Sequence, residues 1–401
     1  MRVRGNLHLT YCTNIHPCET WEATDAALRA TLPVIRRQLN LEGPFAVGLR
    51  LSAAAAATLA SSAVLEGFRG FLAESDCYIL SLNGFPYGAF HGQRVKERVY
   101  EPDWRHDARV AYSNQLADIL AALLPGDAEE GSVSTVPGAF RPAVNSEADK
   151  VLIATNVLRH AAHLVALRER TGRVVTLAIE PEPHCLLETT VEAAQFFARY
   201  LFDPDLVATA ARATGSALTV EDVRRHVGVC LDMCHMAVEF EDAPVSLRAL
   251  AGHGIRVCKV QVSSALQLEG RNAAELQTLL APFAEDTYLH QVVERAGSQY
   301  ARYADLPEAL TAIGTGGTQD DAPRDWRVHF HVPLFLASMN GFETTQPYVR
   351  SMLDLVRQSG VCSYFEVETY TWDVLPAEYR GMDVCTAITR ELAWTRAQLE
   401  R

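Results

Sequence analysis

Residues 174–183, VVTLAIEPEP, and residues 227–235, VGVCLDMCH, decide the reading of this chain. Side chains alternate across an extended strand. In the first stretch Val175, Leu177 and Ile179 share one face, while Thr176, Ala178 and Glu180 share the other. In the second, Val227, Val229 and Leu231 oppose Gly228, Cys230 and Asp232. Each run has an apolar face suited to packing under helices and a second face that ends in a carboxylate. The pattern returns in 258–263, where Cys258, Val260 and Val262 oppose Lys259, Gln261 and Ser263. It returns again in 328–332, where Val328, Phe330 and Val332 oppose His329 and His331, and in 365–369, where Phe365, Val367 and Thr369 oppose Glu366 and Glu368. An open doubly wound sheet is covered by helices on both faces and does not line one of them with charge. A barrel interior can, because its upper layer opens to a pocket. The predicted fold is α/β, a (β/α)8 TIM barrel.

Working outward, β-rich runs alternate with helical stretches from end to end. Strands are predicted at 6–12, 45–52, 77–83, 132–136, 174–180, 227–233, 256–263, 327–332 and 363–370. Helices are predicted at 20–39, 53–74, 107–124, 147–170, 189–201, 244–252, 271–283, 305–312 and 344–359. This order, without a block of consecutive hairpins, is that of a parallel α/β protein. Nine strands compete for eight places. One of 6–12, 256–263 or 327–332 lies outside the barrel, or pairs with the hairpin-like region 287–303. A barrel needs about 250 residues and tolerates large loop insertions. The 401 residues therefore read as one decorated barrel domain, 1–401, with insertions near 84–106 and 266–326. The stretch GTGGTQDDAPRD at 314–325 reads as a surface connector; its glycines neither follow a strand nor precede Lys-Ser/Thr, so a phosphate cradle is not expected there.

The formal net charge of −13 opposes generic binding of nucleic acid. The N-terminal MRVRGNLHLTYCTN lacks the apolar core of a signal peptide. No apolar run reaches the roughly 18 residues of a membrane span. Nine cysteines, several inside apolar strand-like runs, read as reduced thiols. A soluble, cytoplasmic protein is the expectation.

Glu180 ends one strand, and Asp232 the next with His235 three residues on. Glu366 and Glu368 share a face of the last strand, as His329 and His331 do on the strand before it. Alone, a strand-end Glu caps a helix or meets solvent, a DxxH is a weak motif, and an HxH can be two core histidines. Together at one barrel mouth, carboxylates and imidazoles need a counter-charge. A divalent cation (Mn, Zn, Co or Mg) suits such mixed oxygen and nitrogen ligation. Lys259 offers a Schiff-base amine or a cation for an enolate, or, more commonly, a partner for a barrel carboxylate. Cys230, Cys234 and His235 suggest zinc, but Cys230 lies too deep for tetrahedral closure.

The stretches LAIEPEP (177–183), GVCLDMCH (228–235), KVQVSSA (259–265) and FEVETYTW (365–372), with NGFPYGAFHG (83–92) and STVPGAF (134–140), resemble the xylose isomerase-like TIM-barrel superfamily. That superfamily includes sugar and sugar-phosphate isomerases and epimerases and the apurinic endonucleases. More narrowly, LTYCTNIHPCETW (9–21), VKERVYEPDW (95–104), LHQVVE (289–294), HFHVPLF (329–335) and ETYTWDVLP (368–376) resemble the EboE-like metabolite-traffic proteins, along nearly the whole chain. The superfamily resemblance implies Glu180 as metal-bridging and catalytic glutamate, Asp232 as the sixth-strand ligand, and Glu366 or Glu368 as final ligand and partner base. It implies His235 as a substrate contact or a ligand of a second metal. Asn83, His16 and Trp372, from the same motifs, join His235 as substrate-binding candidates. The departure is on the seventh strand, where the family has His and this chain has Gln261: either its amide oxygen ligates or His331 enters instead. The expected metal set is thus Glu180, Asp232, Gln261, His331 and Glu368, and the catalytic set Glu180, Glu368, Glu366 and Lys259.

The resemblance implies a metal-dependent isomerase or epimerase acting on a small polar metabolite in a secondary-metabolite biosynthesis or export pathway, with other proteins of that pathway as further partners. A hydrolase or lyase on the same site and a non-catalytic metabolite carrier are the alternatives. An apurinic endonuclease is disfavoured by the acidity.

Overall fold

In the computed structural model, residues 1–128, 130–314, 323–339, 341–377 and 380–401 are described. Eight parallel strands form the inner ring: β1 (His8–Tyr11), β2 (Phe45–Arg50), β3 (Cys77–Asn83), β4 (Glu130–Thr135), β5 (Val174–Ile179), β6 (Val227–Asp232), β7 (Val257–Val262) and β8 (Tyr364–Val367). The ladder runs β1-β8-β7-β6-β5-β4-β3-β2. Its open seam is spanned by one parallel bridge, Cys12 to Gly48. The outward faces of these strands are the apolar faces of the sequence. Val175, Leu177, Val229, Leu231, Val260 and Phe365 are each at most 1% exposed under the surrounding helices. Those helices start where the chain supplies a hydroxyl or amide cap. Ser146, Thr189, Thr219 and Asn272 each accept an N3 amide while an acidic side chain at N3 answers the cap. The helix Val384–Leu399, which the sequence reading passed over, packs on Trp21–Gln38 beside the seam.

The ninth strand is resolved against one of its candidate places. The segment read as 327–332 forms a strand only over Arg324–Val328, and that strand is not in the barrel. It pairs antiparallel with Leu266–Arg271 and with Val292–Ala296, which turns back onto Gln299–Tyr303. With Phe342–Thr344 and Ser338–Met339 these make a second, six-stranded sheet, inserted between β7 and β8. The alternation of segment 328–332 does not separate a buried from an exposed face, because His329 and His331 are buried along with Phe330 and Val332. Beyond Val328, however, its amides find isolated acceptors: His329 donates to the Gln291 carbonyl (2.8 Å) and Val332 to that of Ser264 (2.9 Å). Alternation of residue type does not say which sheet, if any, the segment joins. The connector at 314–325 falls mostly on residues outside the described ones. No described helix is long and apolar enough to cross a membrane, and all nine cysteines are free.

Candidate active site

The inward side chains of the barrel stack in layers. In the lower layer Lys259 and Glu366 form an ion pair of 2.6 Å. Glu366 also accepts hydroxyl bonds from Ser81 (2.6 Å) and Thr10 (3.2 Å), and Lys259 donates to Ser134 (3.2 Å). Burial disfavours the Lys259 charge, but Glu366, together with Cys230, Cys12 and Glu180, more than offsets this and raises its pKa. An amine held so firmly as a cation is not a Schiff-base nucleophile. Gly48 belongs to this layer for a steric reason: a Cβ there would stand 1.9 Å from Glu366 Oε2 and 2.9 Å from the Tyr11 carbonyl.

Two residues further along the strands lies the mouth. Glu180, Asp232 and Glu368 come from the ends of β5, β6 and β8, and one oxygen of each lies within 4.8 Å of the others. All three are at most 5% exposed. Gln261 stands among them, its amide Nε2 donating to Glu180 (2.8 Å), Asp232 (3.1 Å) and Glu368. Asn14 and Asn83 donate to the other oxygen of Glu368, at 2.7 and 3.0 Å. Asp232 caps the short helix Met233–Val238 through the His235 amide and accepts from Ser263 (2.7 Å). Two like charges 4 Å apart repel by about 4 kcal/mol even at an effective dielectric near 20. Neutral amides cannot cancel that for three. Burial and the charges of Glu368 and Asp232 accordingly raise the pKa of Glu180 far above the usual range. Burial and Asp232 push Glu368 up to about 8. At Asp232 burial also acts upward, but His235, His331 and Ser263 outweigh it and hold the group low.

The donor set fits a divalent cation. Glu180 Oε2 and both ring nitrogens of His331 are buried without a hydrogen-bond partner, so the carboxylate oxygen and one imidazole nitrogen have a lone pair to offer. His331 meets Asp232 and His235 in a grouping of its own within 4.8 Å. Gln261 serves in one of two ways. Its NH2 faces the carboxylates when they must be held apart by hydrogen bonds alone. The amide reversed presents Oε1, the only atom of Gln261 able to ligate.

A cavity of about 50 Å3 opens over these groups. It is lined by Asn14, Asn83, Glu180, Glu182, His235, His329, His331 and Glu368 on the polar side and by Phe90, Tyr100, Tyr288 and Tyr370 on the other. Phe90, Tyr288 and Tyr370 lie ring to ring at 5.0–5.2 Å. Phe90 and Tyr100 come from segment 84–106, Tyr288 from the insert between β7 and β8, and Tyr370 from the residues that follow β8. The one lysine at the wall, Lys96, is already paired with Asp305 at 2.6 Å.

The structure thus brings together Glu180, Asp232, Gln261, Glu368, His235, His331 and Asn83. It places Glu366 and Lys259 a layer below, bound to each other. His16 and Trp372 lie outside the lining: the His16 ring contacts Tyr11 (Nε2 to hydroxyl, 3.2 Å), and Trp372 packs by Phe335. Residues the sequence reading did not single out are Asn14, Tyr100 and Gln291. Asn14 carried a weak signal, a polar side chain three residues past the end of β1. Gln291 and Tyr100 carried none, because they reach the mouth only through the folding of the inserts.

No protein-family model matches the chain, and no curated protein matches it. Solved structures do. A xylose isomerase-like TIM-barrel protein from Mycobacterium smegmatis, in complex with magnesium, aligns over 100% of this chain and 99% of its own, with TM-score 0.53 and 14% identity. The IolI protein with a bound zinc atom aligns over 98% of each chain (TM-score 0.49, 12% identity). The 3-keto-D-glucoside 4-epimerase YcjR from E. coli aligns over 98% of this chain and 99% of its own (TM-score 0.45, 13% identity). At these identities the likeness is one of fold, and the fold is that of the xylose isomerase-like TIM barrels.

Proposed function

We propose that the protein is a divalent-metal-dependent isomerase or epimerase of a small polar, polyol- or sugar-like metabolite. The observation that carries this is the buried triangle of Glu180, Asp232 and Glu368, with unpartnered lone pairs on Glu180 and His331 at the floor of a covered cavity. The magnesium and zinc bound by the two neighbours named above are in keeping with it. Glu180, Asp232, Glu368, His331 and the reversed Gln261 amide would hold the cation, which supplies Lewis-acid polarisation of a substrate oxygen. Glu180 and Glu368 line the cavity from the ends of β5 and β8, where the carboxyl group of each can exchange a proton with a substrate held there. One removes a proton beside the polarised carbonyl and the other returns one. Asn14 and Asn83 hold Glu368 in place for this. Phe90, Tyr288 and Tyr370 keep water from the reacting carbon. The cavity is well below the roughly 300 Å3 of an ordinary ligand pocket, which favours a small substrate. The resemblance of its motifs to the EboE-like proteins supports a role in the cytoplasmic handling of a secondary metabolite, alongside other proteins of that pathway.

The test is solvent deuterium exchange into a panel of sugars and cyclitols with Mn2+, Zn2+, Co2+ or Mg2+ present. Exchange lost in Glu180→Gln and in Glu368→Gln supports the reading; a panel with no exchange at any metal sinks it. A hydrolase or lyase is the second reading. It is favoured by the three clustered imidazoles of His235, His329 and His331, whose rings lie 4.6 and 5.3 Å apart in succession. Product carrying solvent oxygen-18, without carbon-bound deuterium, would select a hydrolase.

A further inference from the structure

Glu182 and His329 line the cavity, stand outside the ligand set assigned above, and are at most 5% exposed. Their polar atoms are tied down from behind by two residues that reach the mouth from the inserts. The Tyr100 hydroxyl donates to Glu182 Oε1 at 2.8 Å. Gln291 Nε2 donates to the same oxygen at 3.1 Å and to the Pro183 carbonyl at 3.2 Å. Those acceptors fix the Gln291 amide and leave its Oε1 for His329, whose Nδ1 lies 2.7 Å away and must donate to it. The other atoms of the pair are bare. Glu182 Oε2 and His329 Nε2 are buried without a hydrogen-bond partner. The far sides of both groups are bound to Tyr100 and Gln291, so the two free lone-pair atoms are turned to the cavity. The groups are neighbours, with Glu182 Oε1 3.6 Å from His329 Nδ1. A buried acceptor left without a donor costs about 1–3 kcal/mol, and here two stand side by side.

The wall restricts what can answer them. Lys96 is committed to Asp305 at 2.6 Å, and no arginine lines the cavity among the described residues. Asn14 and Asn83 donate to Glu368, and Tyr100 and Gln291 already donate to Glu182. An occupant of this corner therefore has to bring the donors itself. A phosphate or carboxylate brings none. A hydroxyl brings one, together with lone pairs that Tyr100 and Gln291 cannot serve. A primary ammonium brings three donors, no lone pair, and a charge opposite to that of the carboxylate. The aromatic lining adds to the preference for a cation over an anion. We infer that Glu182 and His329 form a subsite for a protonated primary amine, and that the metabolite handled at this mouth is an amino-substituted polyol or sugar. Glu182 Oε2 accepts one N–H and answers the charge, and His329 Nε2 accepts a second N–H. Gln291 is the positioning residue, since it orients both. The remainder of the substrate is that of the proposed function, on which this inference rests; the amine is what it adds.

Serinol (2-amino-1,3-propanediol) and glycerol are matched in size and differ by one ammonium in place of one hydroxyl. D-glucosamine and D-glucose make a second, larger pair. Each compound is titrated by calorimetry at neutral pH into the full chain with Mg2+ present, an ion that prefers oxygen ligands and does not recruit the amine itself. In the wild type the amine of at least one pair is expected to bind roughly 10-fold or more tightly than its alcohol. That preference should vanish in Glu182→Gln and in His329→Phe and shrink in Gln291→Ala, while binding of the alcohol changes little. If Glu182→Gln does not fold by circular dichroism, His329→Phe and Gln291→Ala carry the measurement. Equal affinity for amine and alcohol in both pairs, or binding of neither, overturns the inference. A preference that survives in Glu182→Gln and His329→Phe puts the amine elsewhere and overturns it as well. The two readings fail separately. Solvent deuterium exchange into neutral sugars, with no amine preference, leaves the proposed function and removes this inference. An amine preference that depends on Glu182, with no exchange into any compound, does the reverse.

Discussion

Two layers of the same barrel interior treat buried charge in opposite ways. The lower layer holds one cation and one carboxylate, Lys259 and Glu366, and two hydroxyls, Ser81 and Thr10, complete the carboxylate's shell. The upper layer holds three carboxylates, and Gln261, Asn14 and Asn83 donate to them without bringing a charge. The two layers are one turn of strand alternation apart and are equally buried. Burial therefore does not explain the difference. Where the chain needs only a packed floor, it answers its own charges. Where it leaves them unanswered, it depends on something from outside, and the unpartnered atoms of Glu180 and His331 mark where that would bind.

The largest effect expected from this contrast lies below. Lys259→Met should strand Glu366 in the barrel and cost roughly 3–5 kcal/mol in a denaturant melt. Adding Glu366→Leu should restore much of that, because a buried pair contributes little over an apolar pair of similar volume. If Lys259→Met alone is neutral, the lower layer is not the closed pair described here. Next in size is Gly48→Ala, which forces a Cβ onto Glu366 Oε2 and the backbone of Tyr11. A loss of about 1–3 kcal/mol, with a lowered Tm, is expected. An unchanged Tm would show that the floor yields.

The smallest effect expected lies above and has the opposite sign. Glu368 has a folded pKa of about 8 against an ordinary 4.5. Metal-free protein therefore binds more protons when folded than when unfolded across that interval. Its stability should be greatest below pH 4.5 as far as this group is concerned, and should fall as pH rises toward 8, by on the order of 1 kcal/mol once coupling to Glu180 is allowed for. Glu368→Gln should flatten the slope, and a divalent cation should abolish it in the wild type. Melts of chelated protein across that range would show it. A slope that metal leaves untouched would mean the triangle does not bind it.

Much of the barrel was legible because its strands have two unlike faces. The predicted runs at 77–83, 174–180, 227–233 and 256–263 coincide with β3, β5, β6 and β7 to within a residue or two at each end. Glu180, Asp232 and Glu368 could be placed together for the same reason: each occupies the polar face at the C-terminal end of its strand. The inserted sheet was not legible. Leu266–Arg271 and Phe342–Thr344 are short and irregular in pattern, and their partners lie far along the chain. Glu366 shows the limit within a single strand. It has the same residue type and the same face as Glu368, and only its depth in the barrel gives it to Lys259.

The sequence by itself determined the (β/α)8 ring and which carboxylates line its inside, because a period of two fixes the face of every side chain on a strand. Tertiary structure alone decided which charges are answered and which are left open. It also brought His329 and Gln291 to the mouth from the ends of strands outside the ring. Hydrogen-bond partners and depth are set by contacts between residues distant in the chain, and no local pattern carries that information.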